Sequence, residues 1–264
     1  MIIEYHRPET LEQALELLAR TEPRTIPLGG GTKLQATSSL PVAVVDLQGL
    51  AVQPDLELGL VRQVGSSLRI GAMVTLQYLL ESADIPVALE TALLTETSIN
   101  LRNVATVAGT LLSASGRSPF ATVMLALDAA VEVVGLPGSR QSISLGDILA
   151  LRDKILGNQL VLGILIPINT HLAYEYIART PADFPIVAAA VAQWPSGRTR
   201  VSLAGYGASP MLATDGPEPG GVEIAAREAY RDAGDEWASA EYRSAMAEIL
   251  TRRCVNQIYE VKNG

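Results

Sequence analysis

Apolar positions along the N-terminal half change period several times, and each change predicts an element. Leu11, Ala14, Leu15 and Leu18 recur at helical spacing behind Thr10, with Gln13 three residues after that threonine. Thr10 to Leu18 therefore predicts a capped amphipathic helix. A short apolar run over Thr25 to Leu28 ends at three consecutive glycines. Val42 to Leu47 is rich in β-branched residues and is closed by Asp46 and Gly49, the pattern of a buried strand. Leu58 to Val64 and Ser67 to Ile70 flank Gly65-Ser66 and predict a hairpin. Thr75 to Leu80 and Pro86 to Thr95 read as helical, and Phe120 to Leu127 as a small-residue helix leading into a strand over Ala130 to Val134. Asp147 to Leu149 reads as a short helical turn and Leu160 to Pro167 as an apolar strand.

The remainder is patterned differently. Ile186 to Gln193 and Arg200 to Tyr206 predict paired strands around Pro195-Ser196-Gly197. Asp215 to Gly221 reads as a Gly/Pro-rich linker, followed by helices over Val222 to Gly234 and Ala240 to Tyr259. In the second helix, Ser239, Tyr242, Ala245, Met246, Ile249 and Leu250 are expected on the inward side. The fold class is therefore α+β. A cofactor-type domain is expected over residues 1–168, with a small lobe of about 1–52 and a larger one of about 53–168. A C-terminal domain of sheet plus helices is expected over 169–264.

Composition narrows the function. With 48% hydrophobic residues in 264, the chain can bury a large core, roughly 70–75% of its unfolded surface. A net charge of −8 disfavours a nucleic-acid or anionic-membrane surface. The single cysteine, Cys254, excludes an internal disulfide and a cluster held by four thiolates of this chain. Two histidines, His6 and His171, make a zinc site an unpromising reading, and no metal is expected. The first residues lack the basic and long apolar regions of a signal peptide, and no apolar run is long enough for a membrane span. A cytoplasmic protein is expected.

Candidate chemistry concentrates in two backbone-rich turns. Gly29-Gly30-Gly31-Thr32 and Thr106-Val107-Ala108-Gly109-Thr110 place small residues and a hydroxyl where N–H groups can face an anion. Neither is a P-loop, since Gly31-Thr32-Lys33 lacks the longer spacer ending in Gly-Lys-Ser/Thr, and neither matches Gly-x-Gly-x-x-Gly. Gly-x-Ser-x-Gly is absent as well. No catalytic side chain is singled out. Two readings stay open at this level: tight strand-to-helix turns, or paired loops that hold the diphosphate of a cofactor carrying the chemistry itself.

The flanks of the loops carry a resemblance. Leu28-Gly-Gly-Gly-Thr-Lys-Leu34 resembles the Ala-Gly-Gly-Thr-Asp-Leu loop of the FAD-binding medium subunits of molybdenum hydroxylases, the family of the carbon monoxide dehydrogenase and xanthine dehydrogenase flavoprotein subunits. Ser98-Ile-Asn-Leu-Arg-Asn-Val-Ala-Thr-Val-Ala-Gly109 is similar to their Ile-Arg-Asn-x-Ala-Thr-Ile-Gly-Gly-Asn signature. Tyr5-His6-Arg7-Pro8, Ile70-Gly-Ala-Met-Val-Thr75, Leu125-Ala-Leu-Asp-Ala129, Arg179 with Asp183-Phe184, and Ser239-Ala-Glu-Tyr-Arg243 have counterparts in the same order.

That resemblance implies a two-lobed FAD domain of the p-cresol methylhydroxylase type, followed by an α/β C-terminal domain. It implies FAD as cofactor, held by Leu28, Gly29, Gly30, Gly31, Thr32 and Lys33 in the first loop and by Thr106, Ala108, Gly109 and Thr110 in the second. Thr75 would lie on a turn approaching the flavin ring, Ser113 and Ser115 near ribityl or phosphate oxygens, and Phe184 over the isoalloxazine. The implied role is an electron-transfer subunit. Its partners would be a large molybdenum-cofactor subunit and a small iron–sulfur subunit, with an external acceptor receiving the electrons. Four positions depart from the family pattern: Ala108 for glycine, Thr110 for asparagine, Pro119 for aspartate and Tyr176 for lysine. The alternative they motivate is a flavin-free structural or assembly subunit.

Overall fold

The computed structural model describes residues 1–34, 41–82 and 85–263. In chain order the elements begin with strand β1 (Ile2–His6), helix α1 (Leu11–Leu18), strands β2 (Thr25–Leu28) and β3 (Val42–Asp46), and the short helix α2 (Gln48–Ala51). Next come β4 (Val61–Val64), β5 (Ser67–Gly71), α3 (Leu76–Ser82), α4 (Val87–Glu96), α5 (Ile99–Arg102), α6 (Val107–Leu112) and α7 (Pro119–Ala126). The chain continues through β6 (Ala130–Gly135), β7 (Ser139–Ser144), α8 (Leu145–Ile155), β8 (Leu160–Pro167) and β9 (His171–Ile177). It ends with β10 (Val187–Gln193), β11 (Thr199–Ala204), β12 (Met211–Gly216), α9 (Val222–Ala229) and α10 (Ala240–Asn263).

The elements fall into two compact units that interleave along the sequence. One contains residues 1–83, 99–113 and 130–165, the other 84–98, 114–129 and 166–264. The first unit has two sheets. Strands β1 and β2 both run parallel to the central β3, whose five residues are all buried. Parallel strands covered on both faces read as unbroken apolar runs, which is why Val42 to Asp46 was legible. Helix α1 forms as its sequence demands: the Thr10 hydroxyl accepts from Gln13 N–H at 3.2 Å, and Ala14, Leu15 and Leu18 are buried. Its capping-box partner is displaced by one residue, with Gln13 Oε1 accepting from Glu9 N–H at 3.0 Å. The second sheet has the order β4-β5-β8-β6-β7, with Gly65 at φ 59° in the β4–β5 turn.

In the second unit a four-stranded sheet, β12-β11-β10-β9, is antiparallel throughout. Helices α9 and α10 pack against it, as do α4 and α7. Strand β10 is buried at all seven positions, and its run of alanines lets helices approach closely.

Several expectations are corrected here. Strands β1, β7, β9 and β12 were not read from the sequence, and β12 takes in the first two residues of the expected linker. Helix α8 spans eleven residues rather than three, with a kink at Leu151. The inward side of α10 is carried by Arg243, Ala247, Leu250, Thr251, Cys254, Val255 and Ile258, while Tyr242 and Ala245 are exposed. The pattern was misphased because a fully buried position, Arg243, is charged, and an apolar count passes over it. Among the described residues no helix is long and apolar enough to cross a membrane.

Candidate functional site

The first glycine turn follows β2, whose register places Leu28 opposite Asp46. The second turn begins at Thr106, the N-cap of α6. These two segments, about eighty residues apart in sequence, meet. A methyl built on Gly30 would stand 1.7 Å from the Val104 carbonyl oxygen, and one on Gly29 would stand 2.9 Å from Thr106 Oγ1. Gly30 therefore serves packing of backbone on backbone, while Gly29 makes room for the Thr106 side chain. Gly31, at φ 72°, then turns the chain back in the left-handed region.

A third turn completes the arrangement. Thr75 precedes α3 and forms an isolated antiparallel bridge with Thr106. Leu76 N–H donates to Ala105 O at 2.9 Å and Val107 N–H to Val74 O at 2.8 Å. The two threonines act alike: Thr75 Oγ1 accepts from Tyr78 N–H at 3.1 Å, and Thr106 Oγ1 from Gly109 N–H at 3.2 Å. Arg102, on α5, is buried and donates from Nε to Gln77 Oε1 at 3.0 Å, tying α5 to α3.

Donor capacity is uneven between the two loops. In the second, Ala108 N–H donates to Ala72 O at 3.3 Å and Thr110 N–H to Thr106 O at 2.8 Å. Thr110 is buried, and its hydroxyl also donates to Thr106 O at 2.8 Å. Ser113 Oγ donates to Gly109 O at 2.6 Å. In the first loop, the N–H groups of Gly29, Gly30, Gly31 and Thr32 have no hydrogen-bond partner among the described residues. Gly31, Thr32 and Lys33 are exposed, and no carboxylate occurs between Leu28 and Leu34. A run of unengaged amides on an exposed turn is able to receive an anion, so the chemistry of the first loop suits a diphosphate.

Ser115 and Phe184 belong to the second unit, where both are exposed. Pro119 is the first residue of α7, behind the N-cap Ser118. The donors at that helix start go to a buried carboxylate: Ser118 Oγ and Phe120 N–H both reach Glu96 Oε2, at 2.7 and 3.0 Å. Glu96 therefore complements the α7 N-terminus from within the unit. Tyr176 stacks on Tyr174 with ring centroids 5.7 Å apart, and burial pushes the Tyr174 phenol well above its ordinary pKa.

Two features of the site were not singled out from the sequence: the Val104 carbonyl against which Gly30 packs, and Gly71, where a methyl would lie 2.3 Å from the carbonyl oxygens of Glu57 and Leu58. Their signal was present as the glycine after Ile70 and the residues before Thr106, but only contact across the unit shows what each glycine is for.

Residues 1–169 match the model of the FAD-binding domain in molybdopterin dehydrogenase, and the chain belongs to that family, whose cofactor is FAD. Among similar proteins, Escherichia coli K12 YgfM is 35% identical over 215 residues, 81% of this chain and 79% of its own length. The carbon monoxide dehydrogenase medium chain of Afipia carboxidovorans OM5 is 28% identical, with 96% of each chain covered. The solved structure of reconstituted CO dehydrogenase from Oligotropha carboxidovorans superposes with a TM-score of 0.81 at 26% identity, covering 96% of each chain.

Proposed function

We propose that this chain is the FAD-binding electron-transfer subunit of a molybdenum-dependent hydroxylase or dehydrogenase. The observation that carries the reading is the meeting of the two glycine turns, with the unengaged amides of Gly29 to Thr32 at their junction. Leu28 and Lys33 flank those amides and complete the first-loop contacts. On the second loop, Thr106, Ala108, Gly109 and Thr110 supply shape and hydroxyl oxygen, with Ser113 one turn further on. Thr75 brings α3 to the same junction.

FAD, when bound, supplies the one- and two-electron chemistry. The chain's own residues orient the cofactor and complement its charge, and no acid or base from the protein is required. A large molybdenum-cofactor subunit and a small iron–sulfur subunit are the partners in this reading. Cys254 is the only cysteine and is buried, which supports assigning iron–sulfur clusters to another chain. A cytoplasmic location goes with that role, and a lone unpaired cysteine suits a reducing compartment.

The test is a visible absorbance scan of the protein purified with any partners it retains. Near-equimolar flavin that remains through gel filtration is expected. A colourless protein that takes up no FAD on titration would remove the reading in favour of the second one, a flavin-free assembly subunit. That second reading draws on the internal engagement of the Ala108, Gly109 and Thr110 amides and on Pro119 at the start of α7.

A further inference from the structure

Three turns of the second unit present two guanidinium groups and an indole together. The Cζ atoms of Arg117 and Arg179 lie 4.4 and 4.8 Å from the centroid of the Trp237 ring, within cation–π range. Trp237 is 41% and Phe184 37% exposed. Each turn is held by contacts that surface residues do not ordinarily need.

The turn carrying Arg117 is clamped by its neighbouring glycine. Gly116 N–H donates to Gly207 O at 3.2 Å, Gly205 N–H donates to Gly116 O at 2.8 Å, and a methyl on Gly116 would stand 2.2 Å from Tyr206 O. The guanidinium is then aimed by two carbonyls, with Nε donating to Pro185 O and Nη2 to Phe184 O, each at 2.9 Å. The turn carrying Trp237 is gripped by Arg243, which has no exposed surface. Its Nη1 donates to Ala233 O at 2.7 Å and Ala238 O at 3.2 Å, and its Nη2 to Asp235 Oδ1 at 2.7 Å. The turn after Arg179 is closed by Asp183 Oδ2, which accepts from Thr180 N–H and Oγ1 at 3.1 and 3.0 Å.

The nearby carboxylates are thus committed to backbone and to Arg243. Neither Arg117 nor Arg179 has a salt-bridge partner among the described residues, and Arg179 makes no hydrogen bond there. Burial, with the repulsion of Arg243 and Arg179 and against the attraction of Asp235 and Asp183, lowers the Arg117 pKa from its ordinary value. Two cations gathered on one indole, with Arg117 Nη1 not used by any carbonyl and Arg179 bound only through the ring, keep donors available for an oxyanion.

We propose that Arg117 and Arg179, ordered against Trp237, form a binding site for the phosphate or carboxylate group of a small anionic ligand. The site stands on the second unit alone and does not require the FAD reading to hold. The carbonyls that aim Arg117 lower the ordering cost that a flexible arginine would otherwise impose on binding.

The test uses the full chain, with whatever flavin and partners it retains, at low ionic strength. Inorganic phosphate and succinate are titrated in separate arms, followed by calorimetry and by indole fluorescence, and flavin absorbance is recorded on each sample. Saturable binding in either arm is expected, and the stronger arm identifies the oxyanion. Arg179→Ala should weaken it at least tenfold, with Arg179→Lys losing less, and the Arg179 variants should fold because that side chain makes no hydrogen bond. No saturable response to either anion, or binding that Arg179→Ala leaves unchanged, overturns the proposal. Because flavin is read separately, its absence bears on the proposed redox role and not on this site.

Discussion

The two units solve the problem of presenting a functional surface in opposite ways. In the first, the candidate cradle is made of backbone: Gly30 lies against the Val104 carbonyl and admits no side chain, and the threonines that cap α3 and α6 hold the neighbouring turns. In the second, buried charged side chains hold the turns, with Arg243 binding three backbone carbonyls and Asp235. Arg200 is a second case, only 5% exposed, with Nη1 2.7 Å from Asp215 and 3.1 Å from Asp128. A hydrogen bond from Arg198, with further help from Arg200, holds the Asp215 carboxyl below its ordinary pKa against the opposing effect of burial. Backbone cradles fail when an atom is added, whereas buried-arginine clamps fail when one is removed.

Mutations that add or remove atoms separate the two cases. The largest effect is expected from Arg243→Met. The substitution removes the guanidinium that donates to Ile186 O, Ala233 O, Ala238 O and Asp235, and losing one partner of a buried charged network costs about 3–5 kcal/mol. Urea unfolding followed by tryptophan fluorescence should show that loss, since both Trp194 and Trp237 lie in the second unit. A midpoint equal to that of the parent protein would mean that Arg243 clamps nothing. Gly30→Ala comes next. Forcing a methyl against the Val104 carbonyl should cost about 1–3 kcal/mol and push the two glycine turns apart. Flavin content should fall with it. Retention of full flavin and full stability would refute the packing of these loops. Thr106→Ala is the mildest, costing about 1 kcal/mol through loss of the α6 cap. Thr106→Ser should restore most of that stability, because a hydroxyl in the same place still accepts from Gly109. Equal losses in the alanine and serine variants would point to the threonine methyl instead of the cap.

Legibility followed position within the sheets. The inner strands β3, β5, β6, β8, β10 and β11 were all readable as apolar runs or hairpin arms, because neighbours on both sides make burial their dominant constraint. The strands that escaped, β1, β7, β9 and β12, are each at a sheet edge. β7 reads Ser-Arg-Gln-Ser-Ile-Ser and is exposed over its first four residues, so nothing in its side chains distinguishes it from a loop. Edge strands β2 and β4 were found only because glycines punctuate their ends. In the candidate site, both glycine turns and their pairing were expected, yet the contact of Gly30 with the Val104 carbonyl was not. Glycine signals that a side chain is excluded without naming what excludes it.

The amino-acid order by itself settled which segments have a buried face, where helices are capped and where the chain must turn, since these depend on neighbours a few residues away. It also carried the motifs that mark the FAD-binding family. Tertiary structure alone decided that Gly30 rests on Val104, that the Ala108 amide is engaged by Ala72, and that a charged residue, Arg243, is fully buried on its helix. The reason is physical: those facts depend on which carbonyl oxygens come within hydrogen-bonding reach across long stretches of chain, and local periodicity contains no term for a partner that is not local.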